Sequence, residues 1–389
     1  MRKEIVFREE KKEKTGGFGA VINQLIVIGC WLLLFFGGLF PIPEYVDRFG
    51  LLLADAIMIA TLILSYFLSI IIHEGGHLVF GLLCGYGFCS FRIFSTMIIK
   101  TDEGIKIKRF SIPGTAGQCL LAPPEPKDGK MPTVIYNLGG SLLGFIAFGL
   151  FALLSVVAKG LPILSGTFMC LATANLTTAL SNAIPMRTAM INNDGMNAIS
   201  MRKDPDAIES FRLQLLMNVE NSKGVSVRDM PSEWFGAPDD SKLGNHMVAD
   251  KAYLYFARLF EMGEYEKARD YADHLLDSDA ALAGIRRAQI YIDLGYIAAI
   301  TGDKRTARRI IKRELPKYGR ISWTNIGAIR SKYAYELLVR GNEQIAGLRL
   351  RLFNIYLKKL KSYAFKQDLE QELKLIEYVD SLYAKGSDN

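Results

Sequence analysis

A chain of 389 residues that is 50% hydrophobic and carries a net charge of +7 is long enough for two domains and too apolar to be wholly soluble. Its five cysteines, Cys30, Cys84, Cys89, Cys119 and Cys170, are scattered without a CxxC pair, which points to free thiols and away from a disulfide framework. The positive charge requires no nucleic acid, because basic loops beside anionic lipid account for it.

Charge-free runs extend from Thr15 to Pro43, Ala56 to His73, Met131 to Ala158 and Gly160 to Met186. Each is near or above the roughly 18 apolar residues that indicate a membrane span, so about four transmembrane helices are expected. A tail over 1–15 holds Arg2, Lys3, Arg8, Lys11, Lys12 and Lys14, whereas the loop after the first span holds only Arg48. Basic residues mark the cytoplasmic side, which predicts a multi-pass protein of the cell membrane with both termini cytoplasmic. The first span, about Ala20 to Phe40, reads as a retained anchor that ends at Pro41-Ile42-Pro43.

The second span, about Leu51 to Leu83, carries Ile71-Ile72-His73-Glu74-Gly75-Gly76-His77-Leu78-Val79-Phe80. Two histidines four apart on a helix lie on one face, so both imidazoles can reach one Zn²⁺ while Glu74 stands beside it as a base. An apolar helix does not carry His, Glu and His without a reason. Gly75 and Gly76 leave room for a substrate backbone or a neighbouring helix.

Beyond Gly85-Tyr86-Gly87, the β-rich runs Phe91 to Lys100 and Ile105 to Phe110 flank Asp102-Glu103-Gly104 and predict a small β-hairpin, whose edge could receive an extended substrate. The apolar, Gly- and Pro-punctuated stretch Gly114 to Pro124 is too short to span and reads as a re-entrant or surface loop. Its Gln118 is a candidate for a hydrogen bond to substrate backbone or for stabilising the loop. In the third span, Gly140 and Gly144 have the spacing that lets helices approach closely. Asn137 there is a candidate donor to a developing oxyanion.

The fourth span ends at Asn182-Ala183-Ile184-Pro185. A catalytic zinc needs three protein ligands and an open position, and His73 and His77 supply two. His246 and His274 lie in the polar half, and Asp55 is about 27 Å from His73 along its own helix. The carboxylate immediately downstream of the membrane core is Asp194, followed by Gly195, and it is the expected third ligand.

With His73, Glu74 and His77 on one membrane helix, and Asn182, Pro185, Asp194 and Gly195 at and after a later one, the chain resembles the site-two protease family of intramembrane zinc metalloproteases over roughly residues 50 to 200. The resemblance implies cleavage of membrane-spanning proteins or peptides, such as anti-sigma factors, signal-peptide remnants or pheromone precursors. Asn182 enters as a candidate substrate-binding or oxyanion residue. The chain departs from the family's pattern in a longer gap between Pro185 and Asp194, in Asn193 where the family has Leu, and in having no visible PDZ insertion.

After Asp204-Pro205-Asp206 the composition becomes that of a soluble helical protein. Gly263, Gly302 and Gly341 recur at an interval of 39 residues, and Ala268, Ala307 and Ala346 follow each at the same offset. This predicts stacked helix hairpins similar to tetratricopeptide repeats, a class of array that presents a surface to a protein partner. The expected organisation is a metalloprotease domain over 16–204, a linker over 205–245 and the helical repeat domain over 246–389. The expected activity is that of a zinc endopeptidase in which the metal activates water and Glu74 moves the proton. The competing expectation is an inactive membrane scaffold that recruits partners through its repeats. A transporter is disfavoured, with only four spans and no inverted repeat in hydropathy.

Overall fold

Three of the apolar runs fold as helices long enough to cross a bilayer. A computed structural model describes residues 42–101, 104–109, 116–126, 131–186, 192–361 and 366–387, together with positions 25, 28, 29 and 32. Apart from those last four positions, which are helical, the expected first span lies outside the described residues. A short helix α1 (Ile42–Phe49) precedes the long helices α2 (Leu51–Leu83), α3 (Thr133–Val157) and α4 (Pro162–Ala183). Their outward faces carry Leu52, Ile59, Leu64, Ile146 and Leu153, each more than half exposed, an apolar surface compatible with a membrane. Their inward faces are small or polar, with Ser69, Gly139, Gly140, Ser141, Ala172, Ala174 and Asn175 buried. At one end, Tyr45 of α1 donates to the Ile163 carbonyl at 3.0 Å and packs with Ala54, Met58 and Cys170.

Helix α2 stops because Gly85 adopts a left-handed φ of 85°, which lets the Tyr86 amide turn back onto the Gly81 carbonyl at 3.0 Å. The chain then enters a sheet larger than the expected hairpin: four antiparallel strands, β1 (Gly87–Ile93), β2 (Thr96–Thr101), β3 (Gly104–Arg109) and β4 (Gly117–Ala122), in the order β3-β2-β1-β4. Strands β2 and β3 form the hairpin itself, with Ile98 opposite Ile107. The run Phe91 to Lys100 is two strands and not one, because Phe94 turns with a left-handed φ of 53° between them. The stretch Gly114 to Pro124, expected as a loop, contains β4, which pairs with β1 from Gly117 opposite Ile93 to Ala122 opposite Gly87.

A second compact unit holds the chain from Asp206 onward together with the earlier segments 95–113 and 189–191. The stretch 205–245, expected as a linker, is instead ordered: helix α6 (Pro205–Lys223) is followed by three 3-10 turns, and Met217, Met230 and Phe235 form a buried cluster. Arg258 fastens those turns by donating to the Val227 and Met230 carbonyls at 2.7 and 2.9 Å. The helices that follow include α7 (His246–Glu261), α8 (Tyr265–Asp277) and α9 (Gly284–Ile300). Gly263, Gly302 and Gly341 take left-handed φ values of 75°, 75° and 59°, and Ala268, Ala307 and Ala346 are all buried to within 1%. One turn geometry therefore recurs three times, with the glycine ending one helix and the alanine letting the next pack closely.

Candidate metal centre

Helix α2 presents His73, Glu74 and His77 inward, only 6%, 8% and 8% exposed. The helix can be approached this closely because residues on both sides lack side chains. A Cβ on Gly76 would stand 2.3 Å from the Gly139 carbonyl oxygen, and one on Gly140 would stand 2.6 Å from the His73 ring. Gly144 continues the same face onto α4, where a Cβ would meet Ala179 at 3.0 Å. Gly75 faces open space by comparison, its nearest neighbour being Leu143 at 4.0 Å. The expected glycine approach is therefore made by Gly76 against Gly139 and Gly140.

The third component comes from a corner. Helix α4 ends at Ala183, and the short helix α5 (Asp194–Met201) begins with Asp194 in its first turn, where a carboxylate is favoured by the helix dipole. Asn193 holds that corner with four side-chain bonds. Its amide donates to the Ser181 and Ile184 carbonyls at 2.8 and 2.7 Å, and its Oδ1 accepts from the amides of Met186 and Met196 at 2.9 and 3.0 Å. Gly195 permits the closeness, since a Cβ there would lie 2.2 Å from the Ala183 carbonyl oxygen.

Asp194 Oδ2 consequently sits 3.0 Å from His73 Nε2 and 3.3 Å from His77 Nε2, with the two Nε2 atoms 3.2 Å apart. A metal with bonds of about 2.0–2.2 Å in tetrahedral geometry sets its ligands about 3.3–3.5 Å apart, so this triangle is close to one face of such a site. His77 Nδ1 donates to the Tyr136 carbonyl at 2.9 Å, which leaves its Nε2 lone pair facing the other two atoms. His73 Nδ1 is buried and has no hydrogen-bond partner among the described residues. Burial acts to raise the Asp194 carboxyl, but the two imidazoles, when protonated and donating to it in the metal-free site, outweigh that and hold the group below the ordinary carboxylate range. Among the described residues, this is the one cluster of His, Cys, Asp or Glu side chains able to hold a metal ion.

Glu74 faces the sheet. A Cβ on Gly117 would lie 2.4 Å from Glu74 Oε1, so the backbone of β4 runs directly against the carboxylate. Arg92, 1% exposed, ties that strand to the turn by donating to the Phe94 carbonyl at 2.7 Å and the Gly117 carbonyl at 3.1 Å. The Phe94 ring rests edge-on against Phe67 of α2 at 5.2 Å.

The remaining sequence candidates are placed differently. Asn137 and Asn182 each donate to a carbonyl one turn back in their own helices, Thr133 at 2.8 Å and Thr178 at 3.0 Å. Gln118 is half-buried in β4 opposite Arg92. Asp102 and Glu103 lie outside the described residues. Sequence reasoning missed Gly117, Arg92, Tyr136 and the clamping role of Asn193. Only Asn193 had a local signal, as an Asn preceding Asp-Gly at a helix start. No protein family, curated protein or solved structure matches the chain.

Proposed function

We propose that this chain is an intramembrane zinc endopeptidase that hydrolyses peptide bonds of membrane-embedded substrates. The observation that carries the reading is the triangle of His73 Nε2, His77 Nε2 and Asp194 Oδ2, with edges of 3.0–3.3 Å, in which two buried histidines of an apolar helix meet a part-buried carboxylate beside the buried Glu74. These three side chains would hold Zn²⁺, which when bound supplies the Lewis acidity that brings a water to a pKa of about 7 and polarises a peptide carbonyl. Glu74 is not needed to hold the ion. Its Oε1 takes the proton of the attacking water and returns it to the departing amine. Tyr136 keeps His77 in the tautomer that offers Nε2, and the walls of α2, α3 and α4 exclude bulk water.

Hydrolysis requires an extended peptide, and β4 supports that part of the reading. It is the edge strand of its sheet, and its Gly117 backbone touches Glu74, so a substrate strand added at this edge would run past the base. In our reading four spans, including the anchor near the N-terminus, place both termini in the cytoplasm. The second unit is a tetratricopeptide-like array that engages a protein partner.

The test is metal content and cleavage of a model transmembrane peptide by the purified protein and its Glu74→Gln variant. The variant is expected to keep its metal and lose about 10²–10⁴-fold or more of the cleavage rate. Equal rates would sink the mechanism.

A further inference from the structure

The positive charge of the chain is concentrated in one place. The 18 residues from Asp303 to Arg320 hold eight Lys or Arg side chains against two acids, a local excess of +6 in a chain whose net charge is +7. They fold as one rod that changes its winding: helix α10 (Lys304–Arg309), a π turn (Ile310–Glu314) and a 3-10 turn (Leu315–Tyr318). Ala307, Ile310, Ile311 and Leu315 are buried and fasten the rod to the second unit. Lys304, Arg308, Arg313, Lys317 and Arg320 are exposed, at spacings of 4, 5, 4 and 3. The step lengthens to five across the wider π turn and shortens to three past the tighter 3-10 turn, so the cations keep to one side of the rod.

The acids near this row are already engaged. Asp303 caps α10 by accepting the Thr306 amide at 3.0 Å, and Glu314 holds Lys317 at 2.7 Å. Glu336, 3% exposed, is shared between Arg340 at 2.8 Å and Lys312 at 3.8 Å. Lys304, Arg308, Arg313 and Arg320 have no ion pair among the described residues. Just past the row, Trp323 lies in the short helix Ile321–Thr324 with 56% of its surface exposed. Lys332 holds the ring from one side, its Nζ 4.1 Å from the centroid, and is itself fixed by donating to Ser322 Oγ at 3.1 Å.

A row of unpaired cations calls for dense negative charge, and an exposed indole favours a boundary where an apolar layer meets a wet one. The headgroup region of an anionic bilayer offers both. It is also within reach, because the same chain carries three helices long and apolar enough to cross a membrane. We propose that the row Lys304, Arg308, Arg313 and Arg320, with Trp323 at its end, docks the second unit on the surface of an anionic bilayer. The cations lie among the lipid phosphates and carboxylates, and the indole enters the interfacial layer. The inference is independent of the metal centre and shares with the proposed function only the membrane-spanning reading of the apolar helices.

The test uses the full-length protein in nanodiscs of phosphatidylcholine alone and of phosphatidylcholine mixed with phosphatidylserine, each with a trace of lipid carrying a nitroxide on its headgroup. Quenching of tryptophan fluorescence is read for the parent and for Trp323→Phe, and the difference isolates Trp323. Expected is quenching of Trp323 in the anionic discs that falls at least twofold in the neutral discs, and likewise in salt of about 1 M, where the Debye length is about 3 Å. The triple variant Arg308→Gln/Arg313→Gln/Arg320→Gln should show the same loss, each charge being worth about fivefold in affinity for the surface. Thermal unfolding accompanies each reading, and a triple variant that has lost its fold is replaced by Lys304→Gln/Arg308→Gln. Retention of the chain by the neutral discs reports the spanning helices separately, so failure of that reading and failure of the docking face are told apart. Equal quenching of Trp323 in both discs, no quenching in either, or undiminished quenching in the folded charge variant would overturn the proposal. So would a Trp323 that anionic discs leave unquenched but whose emission shifts with an added acidic peptide, which would assign the face to a protein partner.

Discussion

At the scale of single residues, Asp194 depends on its neighbours more than on itself. Asn193 has four side-chain hydrogen bonds that join the end of α4 to the start of α5. Asn193→Ala should cost about 1–3 kcal/mol locally, because it removes a helix cap and leaves two part-buried carbonyls unpaired. Metal affinity should fall by about 10–100-fold, the usual loss when a group supporting a ligand is removed. Asn193→Asp keeps the acceptor and loses both donors, so an intermediate affinity is expected. Competition with a metal chelator reads both. Gly195→Ala forces a Cβ against the Ala183 carbonyl at 2.2 Å and should displace Asp194 with a similar loss. Unchanged affinity in Gly195→Ala would show that the corner does not set the ligand's position.

At the scale of elements, the contact between α2 and α3 separates two adjacent glycines. Gly75→Ala meets only Leu143 at 4.0 Å and should be neutral or stabilising by up to about 1 kcal/mol, the helix-propensity gain over glycine. Gly76→Ala drives a Cβ into the Gly139 carbonyl at 2.3 Å, must part the helices, and should lower both thermal stability and metal retention. Equal behaviour of the two variants would refute the packing argument. His73, Glu74 and His77 were legible in the sequence because an i, i+4 pair is a local property of one helix. Strand β4 was not, because its partner β1 lies more than 20 residues earlier and Gly117-Gln118-Cys119 has no alternation of its own. The choice between Gly75 and Gly76 was equally hidden, since it depends on how α2 is rotated against α3. The repeat glycines, in contrast, announced the turns at 263, 302 and 341, where a positive φ is needed.

At the scale of the whole molecule, two tests bear on its two halves. If the arrangement of basic residues sets the topology, the hairpin from Lys100 to Lys108 faces the cytoplasm; cysteine labelling that finds it outside the cell would overturn this. In the second unit, burial pushes Glu261 up to about 7, and Asp368 and Asp273 up to about 6. Each keeps its proton in the folded state at a pH where the unfolded chain has lost it. The stabilisation is therefore complete below the ordinary carboxylate values near 4 and is lost as pH rises through 6 to 7. Unfolding followed by the fluorescence of Trp234 and Trp323 should shift to higher temperature between pH 7.5 and 5.5. A shift in the opposite sense would mean that these carboxyls are ionised in the fold.

The two histidines belong to a helix laid down early in the chain, whereas Asp194, 121 residues beyond His73, opens the short helix by which the chain leaves its run of apolar helices. An ion gripped by all three is therefore a mechanical latch on that exit. Linkage makes the relation reciprocal: whatever holds α5 against α4 raises affinity for the ion, and the ion strengthens that hold by the same factor. A pull on α5 would in this way be felt as metal occupancy at the two histidines.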